Sequence, residues 1–102
     1  MSVAPVLAAL GDESRLRIVK KLCNGGPLSI TKLAAGADIS RQAVTKHLLA
    51  LHKAGLVRSE RRSRERIWRL EPKRIDDVRR YLAQISRQWD DALMRLKSAL
   101  ES

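Results

Sequence analysis

Residues 40–55, Ser-Arg-Gln-Ala-Val-Thr-Lys-His-Leu-Leu-Ala-Leu-His-Lys-Ala-Gly, carry the side chains best suited to chemistry in this chain. That chemistry is hydrogen bonding to a polyanion. Ser40 can accept a bond from the free N–H groups that open a helix, and Gly55 can take the left-handed conformation that closes one. At 100° per residue, Val44, Leu48 and Leu51 fall on one side, with Gln42, Lys46 and Lys53 roughly opposite. Arg41 and Thr45 lie toward one flank. A helix that starts with hydrogen-bonding residues fits a DNA major groove. Gln42 can pair bidentately with adenine, Arg41 with guanine or a phosphate, and Thr45 can touch a thymine methyl. Lys46 is a point charge, better at positioning than at reading. Lys53 lies too far along for bases and is expected to face backbone.

The charge distribution supports this. The 102 residues carry a formal net charge of +10, from 21 Lys+Arg against 11 Asp+Glu. Residues 41–80 alone hold 13 basic and 5 acidic side chains, leaving the rest of the chain near balance. Charge concentrated on the candidate reading segment is the footprint of a polyanion binder. Catalysis has no support: no Gly-rich phosphate loop, nucleophile elbow or metal cluster is present, and no cofactor is called for. His47 and His52 are five apart, and neither has a partner arranged for catalysis. His47 falls at the edge of the apolar side, half-buried or reaching a phosphate; His52 is expected at the surface. Cys23 excludes an internal disulfide and reads as a small buried thiol, with Lys20 and Lys21 the only features favouring a sensor. With no basic n-region before the apolar start and no run of ~18 apolar residues, a cytoplasmic protein without a membrane partner is expected.

Other elements must position that helix, within a single domain over residues 1–102. Val3, Val6, Leu7 and Leu10 predict a short first helix over 3–10, ended by Gly11. Asp12 caps a second helix with Leu16, Ile18, Val19 and Leu22 apolar. Asn24-Gly25-Gly26-Pro27 stops it. Ser29 caps a short third helix, and the turn at 36–39 leads into the recognition helix at 40–54, which makes a helix-turn-helix. The segment 56–70 then reads as a basic β-hairpin with Ser63-Arg64 at its turn. Such a hairpin is a wing, and its Arg61, Arg62, Arg64 and Arg66 can lie along phosphates or enter a minor groove. After Pro72 a long helix over 73–100 places Ile75, Val78, Leu82, Ile85, Trp89, Ala92, Leu96 and Ala99 at steps of three and four, a heptad seam. At 1.5 Å per residue this helix is about 42 Å long, more than the body can cover. A homodimer is expected, with Val3, Leu7, Leu10, Val78, Leu82, Ile85, Trp89 and Leu96 at its interface. A ligand pocket lined by Trp89 and Tyr81 is the alternative use of that seam.

The fold class is therefore mainly α with a β-hairpin wing: a winged helix-turn-helix with N- and C-terminal dimerisation helices. The chain resembles the ArsR-type (ArsR/SmtB) family of bacterial transcriptional repressors. The resemblance is carried by Leu10-Gly11-Asp12-Glu13-Ser14-Arg15-Leu16-Arg17-Ile18, by Ile39 to Leu48, by Leu51-His52-Lys53-Ala54-Gly55-Leu56-Val57 and by Trp68-Arg69-Leu70. It implies a homodimer that binds an inverted-repeat operator in double-stranded DNA and represses its own or a neighbouring operon. Carried onto matching positions, Ser40, Arg41, Gln42, Thr45, Lys46 and His47 are the DNA-facing set. The metal-sensing members' third-helix thiols and last-helix histidines are absent, so the resemblance is to the metal-independent type, whose small-molecule effector is unspecified. Two other readings compete. One is a protein-interaction adaptor docking through the heptad helix. The other is an RNA-binding winged helix, disfavoured by 3% aromatics.

Overall fold

Side-chain caps set where the helices begin in the computed structural model, which describes residues 2–101. Asp12 accepts from the Arg15 N–H and opens α2, Glu13–Gly25, after the short α1, Ala4–Leu10. That hydrogen bond is the main reason the Asp12 carboxyl titrates below its ordinary value. Ser29 accepts from the Lys32 N–H at the start of α3, Ile30–Ala34. Ser40 accepts from the Ala43 N–H at 3.1 Å and opens α4, Arg41–Lys53. Gly55 closes α4 with φ of 83°. The Leu56 N–H reaches the Leu51 carbonyl and the Gly55 N–H the His52 carbonyl, at 3.0 and 2.9 Å. This is the Schellman pattern, and Leu51 and Leu56 supply its apolar contact, both fully buried.

Strands β2, Val57–Arg62, and β3, Glu65–Leu70, form the expected antiparallel hairpin, with Arg62 opposite Glu65. Ser63 has φ of 58°, so this two-residue turn carries a left-handed backbone without a glycine. One strand is new. β1, Leu28–Ser29, pairs antiparallel with β3 and makes a three-stranded sheet in the order β1-β3-β2. Ser29 is extended and buried, serving as strand residue and helix cap at once. Two residues after Pro27 are too short to show a period of two.

The core joins Val6, Ile18, Leu22, Leu33, Val44, Leu48, Leu51, Leu56, Val57, Trp68 and Val78. Three expectations need correction. Cys23 and Leu16 are exposed, because Ile18 and Leu22 hold the inner side of α2 and both lie well round the helix from it. Val78, expected at the dimer interface, is 8% exposed and is the last residue of α5 to reach this chain's own core. Leu10, expected at the interface, is half-buried and touches the same core, with part of its surface still open.

α5 runs from Pro72 to Glu101. Proline is compatible with the first helical turn, so Pro72 begins the helix. Its first turns are tied down by Arg74, which donates to the Ser2 and Ala54 carbonyls and pairs with Asp77 at 3.5 Å. Arg80 also bonds Asp77, and this bond is the largest cause holding that carboxyl below its ordinary value. From Arg79 to Glu101 every residue is exposed. The radius of gyration is 17.8 Å, against about 13 Å for a compact domain of about 100 residues.

Candidate nucleic-acid interface

α4 divides cleanly. Val44, Leu48 and Leu51 are buried, and Arg41, Gln42, Lys46 and Lys53 are exposed. Its orientation is enforced from behind: α3 packs on it, and Lys21 of α2 donates to the Leu33 and Ala35 carbonyls, both at 3.0 Å. Those carbonyls at the end of α3 would otherwise lack helical partners, and a lysine there suits the helix dipole. The Thr45 hydroxyl donates to the Arg41 carbonyl at 2.9 Å, which leaves its methyl group as the outward feature. The Ser40 oxygen accepts from the Ala43 N–H at the cap, and its hydroxyl proton remains to donate to a ligand. His47 is half-buried. His52 is exposed and sets its ring edge-on against Trp68, centroids 6.5 Å apart, which joins α4 to the wing.

Leu49 is missing from the expected set. It is 56% exposed, and at 100° per residue it falls between Thr45 and Gln42, at the middle of the exposed face. Its angle was available in the sequence; its apolar type hid it among the core residues Leu48 and Leu51.

The four wing arginines are exposed but not equivalent. Strand pairing places Val57, Ser59 and Arg61 with Arg66, Trp68 and Leu70 on one face of the hairpin. The other face holds Arg58, Glu60 and Arg62 with Glu65, Ile67 and Arg69. Arg62 pairs with Glu60 at 3.1 Å, and Arg58 pairs with Glu71. Arg66 donates to the Ser59 hydroxyl at 2.9 Å, and Arg64 sits in the turn.

At the far end of the molecule, Leu82, Ile85, Trp89 and Leu96 of the expected interface are all exposed, Trp89 at 65%. Leu93 and Leu100 widen the seam beyond the strict heptad positions. Val3 and Leu7 border a groove of about 550 Å³ between α1 and α5, together with Asp77 and Tyr81. Trp89 is not among the residues lining that groove. Among the described residues no three His, Cys, Asp or Glu side chains cluster as a metal site, and no helix is long and apolar enough to cross a membrane.

A helix-turn-helix whose second helix presents polar side chains, followed by a basic hairpin, defines a winged helix-turn-helix DNA-binding protein. The family model described as bacterial regulatory protein, arsR family, matches residues 12–59. The HTH-type transcriptional regulator Rv2034 of Mycobacterium tuberculosis is 33% identical over 94 residues, 92% of this chain and 84% of the relative. An ArsR-like transcriptional regulator from Rhodococcus sp. RHA1 superposes with a TM-score of 0.77 at 38% identity, covering 94% of this chain and 90% of that one. The homodimeric winged helix-turn-helix DNA-binding domain Mb0332 of Mycobacterium bovis superposes with a TM-score of 0.65 at 27% identity, covering 89% and 81%. The chain belongs to the arsR family of bacterial regulatory proteins, and it is a DNA-binding transcriptional regulator.

Proposed function

We propose that the chain acts as a homodimeric repressor on an inverted-repeat operator in its own or a neighbouring operon. In the dimer, two α4 helices enter successive major grooves on one side of the duplex, about 34–36 Å apart. The observation that carries this reading is α4 itself, whose apolar side is locked in the core while Arg41, Gln42, Lys46 and Leu49 face outward. Gln42 reads adenine, Arg41 takes guanine or a phosphate, and the Thr45 methyl and Leu49 meet thymine methyls. Lys46, His47 and the Ser40 hydroxyl hold phosphates.

The uncovered seam of α5 supports the dimer. A lone helical stretch of this length is marginal in water, and a second copy covers Leu82, Ile85, Trp89 and Leu96. The homodimeric Mycobacterium bovis domain lends weight to the same assembly. A dimer seated across two grooves occludes a promoter, which is the simplest route to repression. Such a regulator works beside the chromosome, in the cytoplasm.

Footprinting on the chain's own upstream region tests the reading, and a protected inverted repeat is expected. Gln42→Ala should cost about 1–3 kcal/mol on that site and relax one base position. Equal loss on operator and random duplexes would remove Gln42 as a base reader.

A further inference from the structure

The two faces of the wing differ in how their charges are balanced. On the face of Arg58, Glu60, Arg62, Glu65 and Arg69, acids and bases alternate, with Glu71 joining through Arg58. Arg58 stands across from Arg69 there, but Arg58 pairs with Glu71 and Arg62 with Glu60, and three arginines against three carboxylates leave the face close to neutral. On the opposite face Arg61 stands directly across from Arg66, and that face of the hairpin holds no carboxylate. Like charges directly opposite on a sheet repel. Nothing on the hairpin relieves this pair; the Ser59 hydroxyl only takes up one N–H of Arg66. An anion from outside the chain would relieve it.

We propose that Arg61 and Arg66 together hold one backbone phosphate of the duplex, with Ser59 as the positioning residue, and that Arg62 takes no part. The ligand class is a nucleic-acid phosphate. A base edge in a groove needs a guanidinium extended away from the strand. Arg66 instead lies back along the hairpin toward Ser59, diagonal to it on the same face. Ser59 and Arg61 are neighbours on that face of β2, so this bond turns Arg66 toward the strand that carries Arg61, where two forks can share one phosphate. The same face runs back through Trp68 to His52 of α4, so the pair sits on the side continuous with the reading helix. The proposal rests on the DNA-binding reading above and sharpens it.

The test measures retention of a random-sequence duplex between ~50 and ~200 mM salt. The proteins compared are the wild type, the Arg61→Ala/Arg66→Ala double variant, Arg62→Ala, Ser59→Ala and Ser59→Thr. The double variant should flatten the slope of log affinity against log salt by about 2, one phosphate from each of two wings at about 0.9 each. Its affinity should fall by the same factor on the native promoter duplex. Arg62→Ala should change the slope by less than about half a unit. Ser59→Ala should weaken retention without changing the melting temperature, and Ser59→Thr should restore it. Equal slope changes for Arg62→Ala and the double variant would overturn the assignment. A loss confined to one sequence would also overturn it, because the pair would then be reading bases. Failure of the wild type to retain any duplex at ~50 mM salt would instead overturn the DNA-binding reading itself.

Discussion

Residues 4–78 and residues 79–101 stand in opposite relations to water. The first region closes a core of its own around Leu33, Val44, Leu48, Leu51, Leu56 and Val57, and ties its helix ends with Asp12, Lys21, Ser29 and Ser40. The second buries nothing, although Leu82, Ile85, Trp89, Leu93, Leu96 and Leu100 lie along it. The reading head is thus built to be rigid in one copy, whereas the far part of α5 waits for apolar cover. Under the proposed function, rigidity at α4 is what lets a few side chains discriminate bases. An incomplete α5 makes the spacing of two heads depend on assembly.

The contrast can be broken first at the core. Leu48→Ala should destabilise the first region by about 2–5 kcal/mol. The loss, read by urea denaturation through the hairpin's Trp68, should be the same at low and high protein concentration. A strong concentration dependence would mean that the first region also leans on the partner. Trp89→Ala tests the other side. As a large aromatic at the middle of the seam it should weaken the dimer by about 2 kcal/mol or more, roughly thirtyfold. Sedimentation would show the shift to single chains, and an unchanged profile would place the seam outside the interface.

Smaller changes sharpen the picture within the first region. Ser63→Gly removes a left-handed serine from the hairpin turn and should stabilise by about 0.5 kcal/mol, seen as a modest rise in melting temperature. Asp77 probes the joint between the regions. Its carboxyl is held below the ordinary value near 3.8, first by Arg80 and then by Arg74. Its contribution to stability is therefore present above about pH 4 and is lost as the pH falls through its lowered value. The difference in melting temperature between wild type and Asp77→Asn should shrink on acidification. A difference that stayed constant down to strongly acid pH would show that the charge is not what matters.

Much of the reading head is legible along the chain. The caps Asp12, Ser29 and Ser40, the stop at Gly55 and the alternation of Val44, Leu48 and Leu51 are local signals, each acting within one or two turns. The site was less complete. Leu49 was hidden by its residue type. The wing arginines looked alike because a run of basic residues does not say which strand pairs in which register. The outward Cys23 and inward Val78 differ from expectation because a helix shows its apolar stripe without showing where its neighbours end.

Element order, helix limits and the basic character of residues 41–80 follow from capping, periodicity and charge, all of which act between near neighbours in the chain. Long-range pairing settled the rest. The Arg62–Glu65 register sorted the arginines into a balanced face and an unbalanced one. The join of Leu28–Ser29 to β3 drew the start of α3 into the sheet. The point at which α5 leaves the body, just past Val78, set which part of the heptad seam remains for a second copy. Each of these depends on contacts between residues far apart in sequence, where no local rule operates.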